Sequence, residues 1–186
     1  TFIDASGMDW NTLPVYDGTF FTDLNAVVQR EPVLERDKVM MGMLASIGIC
    51  KGEPFDPDEE TTTALLEGLE RAYAYLQSRF ITAGGALTRY WEDRQWCTFN
   101  LSKEQADSGF PFVEAGRVMV DERAQLYFYV TYMPKVLGGG SFYLMGIRDG
   151  DSRLMNGNDT YKLTVPADTP ATDFWSVIVY SMKTKG

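Results

Sequence analysis

Apolar positions recur at helical spacing through the first half of the chain and alternate in strand fashion through the second. Phe20, Leu24 and Val27 fall at i, i+4 and i+7, which puts them on one face of a helix. Pro32 ends that segment, because its ring cannot continue a helix. It can instead sit in the first turn of the next one. There Met40, Met43, Leu44 and Ile47 repeat the helical spacing, and Gly48 supplies a C-terminal stop. A third helix has the best start signal, Asp56-Pro57-Asp58-Glu59. It offers an N-cap Asp56, Pro57 at the first helical position and Glu59 at the third. Leu65, Leu69, Ala72, Leu76 and Phe80 then form a long apolar stripe, and Gly84-Gly85 closes the helical half.

The second half reads as strands. Residues 161–165 alternate before Pro166. Residues 174–180 are rich in aromatic and β-branched side chains, as a central strand is. Residues 142–147 form a third candidate strand. Asp149-Gly150-Asp151 and Asn156-Gly157-Asn158-Asp159 are strong turn signals between them. An antiparallel meander follows. Residues 126–132 are ambiguous: they have strand propensity, yet Ala124, Tyr127, Phe128 and Thr131 share a helical face.

Composition narrows the chemistry. The chain has 186 residues, 45% hydrophobic and 13% aromatic, enough for a folded core. It has no histidine. A Ser-His-Asp triad, a Cys-His dyad and a His-ligated metal site cannot be built from these residues alone. The net charge of -9, with no basic cluster, argues against a nucleic-acid partner. The longest uncharged apolar run, residues 39–50, has 12 residues, against about 20 for a membrane span. Cys50 and Cys97 lie 47 positions apart. They make neither a disulfide framework nor a zinc ribbon, and each is expected to pack as a small apolar residue. The first ten residues carry no signal-peptide pattern and no initiating Met. Periplasmic or exported placement is the expectation only if the full-length protein carries a signal.

Arg123-Ala124, Phe142-Tyr143, Asn156-Gly157 before Tyr161-Lys162-Leu163-Thr164-Val165, and Phe174-Trp175-Ser176-Val177 with Tyr180 resemble the family known as domain of unknown function 1214. The resemblance runs from about Val118 to Gly186. The helical half is similar, more loosely, to the segment after its usual companion, domain of unknown function 1254. The resemblance implies helices leading into a β-sandwich of jelly-roll type, with helix around Tyr127. It implies further strands after residues 174–180, so the chain looks like a fragment. It brings no activity and no catalytic residues. The expected class is therefore α+β. About three helices in residues 1–85 precede an incomplete, mostly β domain in residues 86–186. Open sheet edges are sticky, so a homo-oligomer through a sheet edge is a further expectation.

Four constellations carry candidate chemistry. Trp91, Glu92, Asp93, Arg94 and Trp96, beside Tyr90, combine rings with charges. A cleft for a small polar ligand such as a carbohydrate uses such a set; anchoring of a loop to the core by Trp91 and Trp96, with Arg94 paired to Glu92 or Asp93, is the more frequent reason for such a run. Glu92 and Asp93, or Asp121 and Glu122, are the candidate acid and base of a hydrolase. A solvated helix start or an ion pair with Arg123 also explains the second pair. Asp149, Asp151 and Asp159, with Asn156 and Asn158, offer oxygen to a hard cation, but the EF-hand spacing is absent and turn chemistry suffices. Residues 137–141 are Gly-rich without a P-loop lysine, so a flexible connection is the simpler reading. Asn100-Leu101-Ser102 and Asn158-Asp159-Thr160 fit the glycosylation sequon, which matters only on a eukaryotic secretory route. No GxSxG, HExxH or GxGxxG occurs, and no cofactor is expected. The leading reading is a binding or structural module. The rivals are a carboxylate hydrolase and a self-assembly module.

Overall fold

The computed structural model describes residues 4, 6–8, 13–82, 87–99, 112–130 and 142–184. Two compact units divide within one helix. One is Pro14–Tyr75, the other Leu76–Gly186 with Thr1–Leu13.

Helix α1 spans Thr19–Arg30. Asp17 accepts hydrogen bonds from the Thr19 amide at 2.8 Å and its hydroxyl at 2.7 Å, so the chain is hooked at the helix entry. Its buried residue is Val28, while Val27 is exposed; the expected face turns by one position. The C-terminus of α1 is held by Lys51, whose Nζ donates to the carbonyls of Val28, Gln29 and Glu31 at 2.8–2.9 Å. A cation there completes carbonyls that the helix leaves unpaired and opposes its dipole. Gln29 adds a two-way clasp, donating to the Cys50 carbonyl at 2.8 Å and accepting from the Gly52 amide at 2.8 Å.

A short 3-10 turn, Glu35–Asp37, leads into α2, Lys38–Ala45. Gly48 stops it as expected. With φ at 86°, Gly48 sends its amide to Ala45 while Ile49 reaches back to Leu44, the Schellman arrangement. Ile49, just past the stop, is fully buried. Met40 and Met43 of the expected stripe stay exposed, and only Leu44 and Ile47 are half covered.

Helix α3 spans Glu59–Ile81. Its cap is Asp58 rather than Asp56. The Asp58 carboxylate accepts the Thr61 amide at 2.8 Å, three positions on, where an N-cap side chain acts. Pro57 therefore precedes the helix. Leu69, Leu76 and Phe80 are buried along the expected stripe, and Tyr73 replaces exposed Ala72 in it. Within the first unit Tyr73 meets Tyr16 at 5.2 Å between centroids.

The second unit carries the sheets. Strands β1, Leu87–Arg89, and β2, Trp96–Phe99, form an antiparallel hairpin with Leu87 opposite Phe99. Strands β3, Val113–Glu114, and β4, Arg117–Val118, form a second hairpin. Its turn is Ala115-Gly116, at φ 48° and 77°, a two-residue turn with both φ positive. Helix α4, Val120–Val130, follows, so residues 126–130 of the ambiguous segment are helical, while 131 and 132 lie outside the described residues. It buries Leu126, Phe128 and Gln125. Strand β5, Met145–Gly146, pairs with β2 and gives the sheet order β1-β2-β5. The chain is thus α+β, with its helices mainly N-terminal. Core residues here include Leu87, Cys97, Phe112, Leu126 and Ile147.

Both turn signals of the second half form turns. The Asp149 amide donates to the Arg153 carbonyl and Met155 to Ile147 across the first. Asp159 donates to Asn156 across the second. The strand expectations fare differently. Of residues 142–147 only Met145 and Gly146 join a ladder. Residues 161–165 and 174–180 join none among the described residues. Strand propensity describes fit to a pleated surface, and no described edge is paired with these segments. Gly84-Gly85 lies outside the described residues.

Candidate functional site

Residues 90–95 are the loop of the β1–β2 hairpin, an element that the sequence reading passed over. Arg89 pairs with Cys97 in register, and the Tyr90 amide donates to the Trp96 carbonyl at 2.9 Å to close the loop. Arg94 turns back on Trp91 through its amide. The loop therefore gathers Trp91, Glu92, Asp93 and Arg94 at one hairpin tip.

The Tyr90 and Trp91 rings meet edge to face at 4.5 Å, and Tyr90 meets Phe142 at 5.2 Å. The Arg94 guanidinium lies 5.2 Å from the Trp91 centroid, a cation–π distance. Its Nε stands 3.9 Å from Asp93. Trp91 is 37% exposed, so it is not the buried anchor that the structural reading required. Glu92 and Asp93 are exposed as well. Trp96 is half covered and lies on Gly146, its register partner. It supports the hairpin from below the tip.

Arg89 braces the loop. Its guanidinium donates to the Glu92 carbonyl at 3.3 Å and to Gln95 at 3.2 Å, and Gln95 donates on to Ser152 at 2.9 Å. Arg89 also borders a cleft of about 120 Å³ lined with Thr82, Gln95, Cys97, Ile147 and Arg148. Arg148 donates to the carbonyls of Ser152 at 2.9 Å and Ile81 at 3.0 Å. Burial pushes the Cys97 thiol above its usual range, partly offset by the Arg89 charge. Both cysteines are free thiols. Arg89 and Arg148 were absent from the sequence reading, and Gln95 entered it only as a member of the run from Tyr90 to Trp96. The alternation of Leu87, Arg89 and Trp91 with Thr88 and Tyr90 was the available signal. A larger concavity, about 600 Å³, is bordered by residues 58–67 of α3's start alone; one helix cannot enclose a ligand.

The other candidates fall elsewhere. Asp121 and Glu122 lie in the first turn of α4, where acidic residues suit the helix dipole. Asp149 accepts the amides of Asp151 and Arg153 at 2.9 Å, and Asp151 pairs with Arg153 at 3.3 Å. Asp159 accepts from the Asn156 side chain. These are turn bonds, and no cluster of three or more ligand-type side chains capable of holding a metal occurs among the described residues. Residues 137–141 and the first sequon, residues 100–102, lie outside the described residues. Among those described, no helix is long and apolar enough to cross a membrane.

The hairpin tip is thus assembled against Phe142, and its base against Gly146, both from the last quarter of the chain. Residues 140–185 match the family described as Protein of unknown function (DUF1214). The DUF1214 segment supplies β5, Arg148 and residues 174–180, whereas residues 90–96 precede it. Arg123 and Ala124, on which the resemblance also drew, precede it too. A search of curated proteins finds no match to the chain.

Proposed function

We propose that the chain is a binding module that holds a small polar ligand, such as a carbohydrate, on the hairpin tip of residues 90–95. The exposure of Trp91 in the midst of charged groups carries this reading. A ring in water with hydrogen-bonding groups around it suits a ligand that has an apolar face and a polar rim. Trp91 would stack on the ligand. Glu92 and Asp93 would accept from hydroxyls, and Arg94 would donate. Trp96 acts as a positioning residue through its contact with Gly146. Residues 86–186 form the ligand-bearing part in this proposal. Chemical-shift mapping with soluble neutral and acidic oligosaccharides tests it. The reading expects perturbations centred on residues 90–95. Perturbations centred elsewhere, or none with any sugar, contradict it.

A further inference from the structure

Arg89 and Arg148 border the same cleft of about 120 Å³, with Thr82 just past α3 and with Gln95, Cys97 and Ile147 of the sheet region. All of these residues belong to one compact unit. Arg89 and Cys97 are register partners, so they share a face of the sheet. Burial pushes the Cys97 thiol up, and the Arg89 charge draws it back in part. The positive field of Arg89 therefore reaches that wall of the cleft.

Both guanidinium groups are held by neutral acceptors alone. Arg89 donates to the Gln95 side chain, Gln95 to the Ser152 hydroxyl, and Arg148 to the Ser152 carbonyl. This chain of bonds ties the two arginines to one another's supports. Their other bonds, from Arg89 to the Glu92 carbonyl and from Arg148 to the Ile81 carbonyl, also end on backbone. A guanidinium carries more N–H donors than either arginine spends here. Neither forms an ion pair among the described residues. The acids that follow Arg148 are engaged elsewhere: Asp149 accepts the Asp151 and Arg153 amides, and Asp151 pairs with Arg153. Two like charges beside one small cleft repel each other, and an anion between them turns that repulsion into attraction.

We propose that this cleft binds a small, doubly charged oxyanion of the phosphate or sulfate kind. Guanidinium forks donate in pairs to such oxygens, and two of them match two negative charges. The space equals that of about four waters, which suits one tetrahedral anion. It is well below the roughly 300 Å³ at which pockets for larger organic ligands begin. The anion site is independent of the ligand reading, which rests on Trp91 and the charges beside it.

Chemical-shift titration of the full chain at constant ionic strength tests it, with sodium phosphate, sodium sulfate and sodium acetate added separately. Phosphate or sulfate should move the resonances of Thr82, Cys97, Ile147 and Arg148 saturably, at least about fivefold more tightly than acetate does. Saturation by one dianion and not the other names the source. Arg148→Gln should weaken the binding about tenfold. Gln95→Glu is the second variant. It sets a carboxylate where the Gln95 oxygen already meets Arg89, so it should keep the circular dichroism of the folded chain and abolish anion binding. Lys162→Gln removes an exposed cation outside the cleft and should leave the affinity unchanged. No saturable shift with either dianion, equal affinity for acetate, shifts centred away from the cleft, or full binding by a folded Gln95→Glu chain would overturn the proposal.

Discussion

The indole of Trp96 lies across Gly146, its register partner between β2 and β5. A methyl group placed on Gly146 would stand 2.9 Å from the ring. No side chain larger than hydrogen fits without displacing the indole. The contact joins the hairpin that carries Trp91 to the DUF1214 segment. Gly146→Ala should therefore cost about 1–3 kcal/mol, the usual range for overpacking. Thermal unfolding should report it as a fall in Tm of roughly 2–4 °C for each kcal/mol. An unchanged Tm would mean that Trp96 moves aside freely.

Lys51 gathers three carbonyls at the end of α1. Lys51→Met keeps the aliphatic stem and removes the donors. The expected loss is about 1–2 kcal/mol, measured by urea unfolding. Loss comparable to that of an exposed lysine elsewhere on the surface would remove the cap from the account.

Two helix entries should be acid-sensitive. The Asp58 carboxyl is held below its usual value by the side chain and then the amide of Thr61, and Asp17 likewise by Thr19. Both groups have folded values depressed below the unfolded value of 3.8. Their contribution is present above that value and is lost as pH falls through the lower folded values. Helical circular dichroism should decline in that acid window. Asp58→Asn, which still accepts a hydrogen bond but does not titrate, should flatten part of the decline. An acid limb unaltered in this variant would count against the cap.

Cys97 is buried and its thiol is pushed upward by that burial, while Cys50 is half covered. Thiolate is the reactive form, so an alkylating reagent at mild alkaline pH should label Cys50 first. Cys97 should react only as the unit unfolds. Equal labelling rates in the folded protein would show that the cleft beside Cys97 opens readily.

The helices were largely legible in the sequence because their signals are local. Gly48 stops α2 through a backbone motif, and the stripe of Leu69, Leu76 and Phe80 depends only on spacing. The errors were local as well: Asp58 and not Asp56 caps α3, since the side chain three residues before Thr61 reaches its amide. The β half was less legible, because a strand needs a partner from elsewhere in the chain. Residues 174–180 have the composition of a strand and have no ladder partner among the described residues. Strands β1 and β2 are short, and Gly146, which pairs with Trp96 of β2, gives no propensity signal. Trp91 and its neighbours were visible as a cluster, but their place at a hairpin tip, and the bracing by Arg89 and Gln95, came only from the fold.

The ligand reading turns on Trp91. Calorimetric titration of the full chain with a panel of neutral and acidic oligosaccharides, repeated with Trp91→Ala, tests it most directly. The account predicts saturable binding of at least one sugar class and a loss of about tenfold in affinity on removal of the ring, in line with an aromatic contact plus its buried area. No saturable binding of any sugar, or binding unaltered by Trp91→Ala, would contradict it.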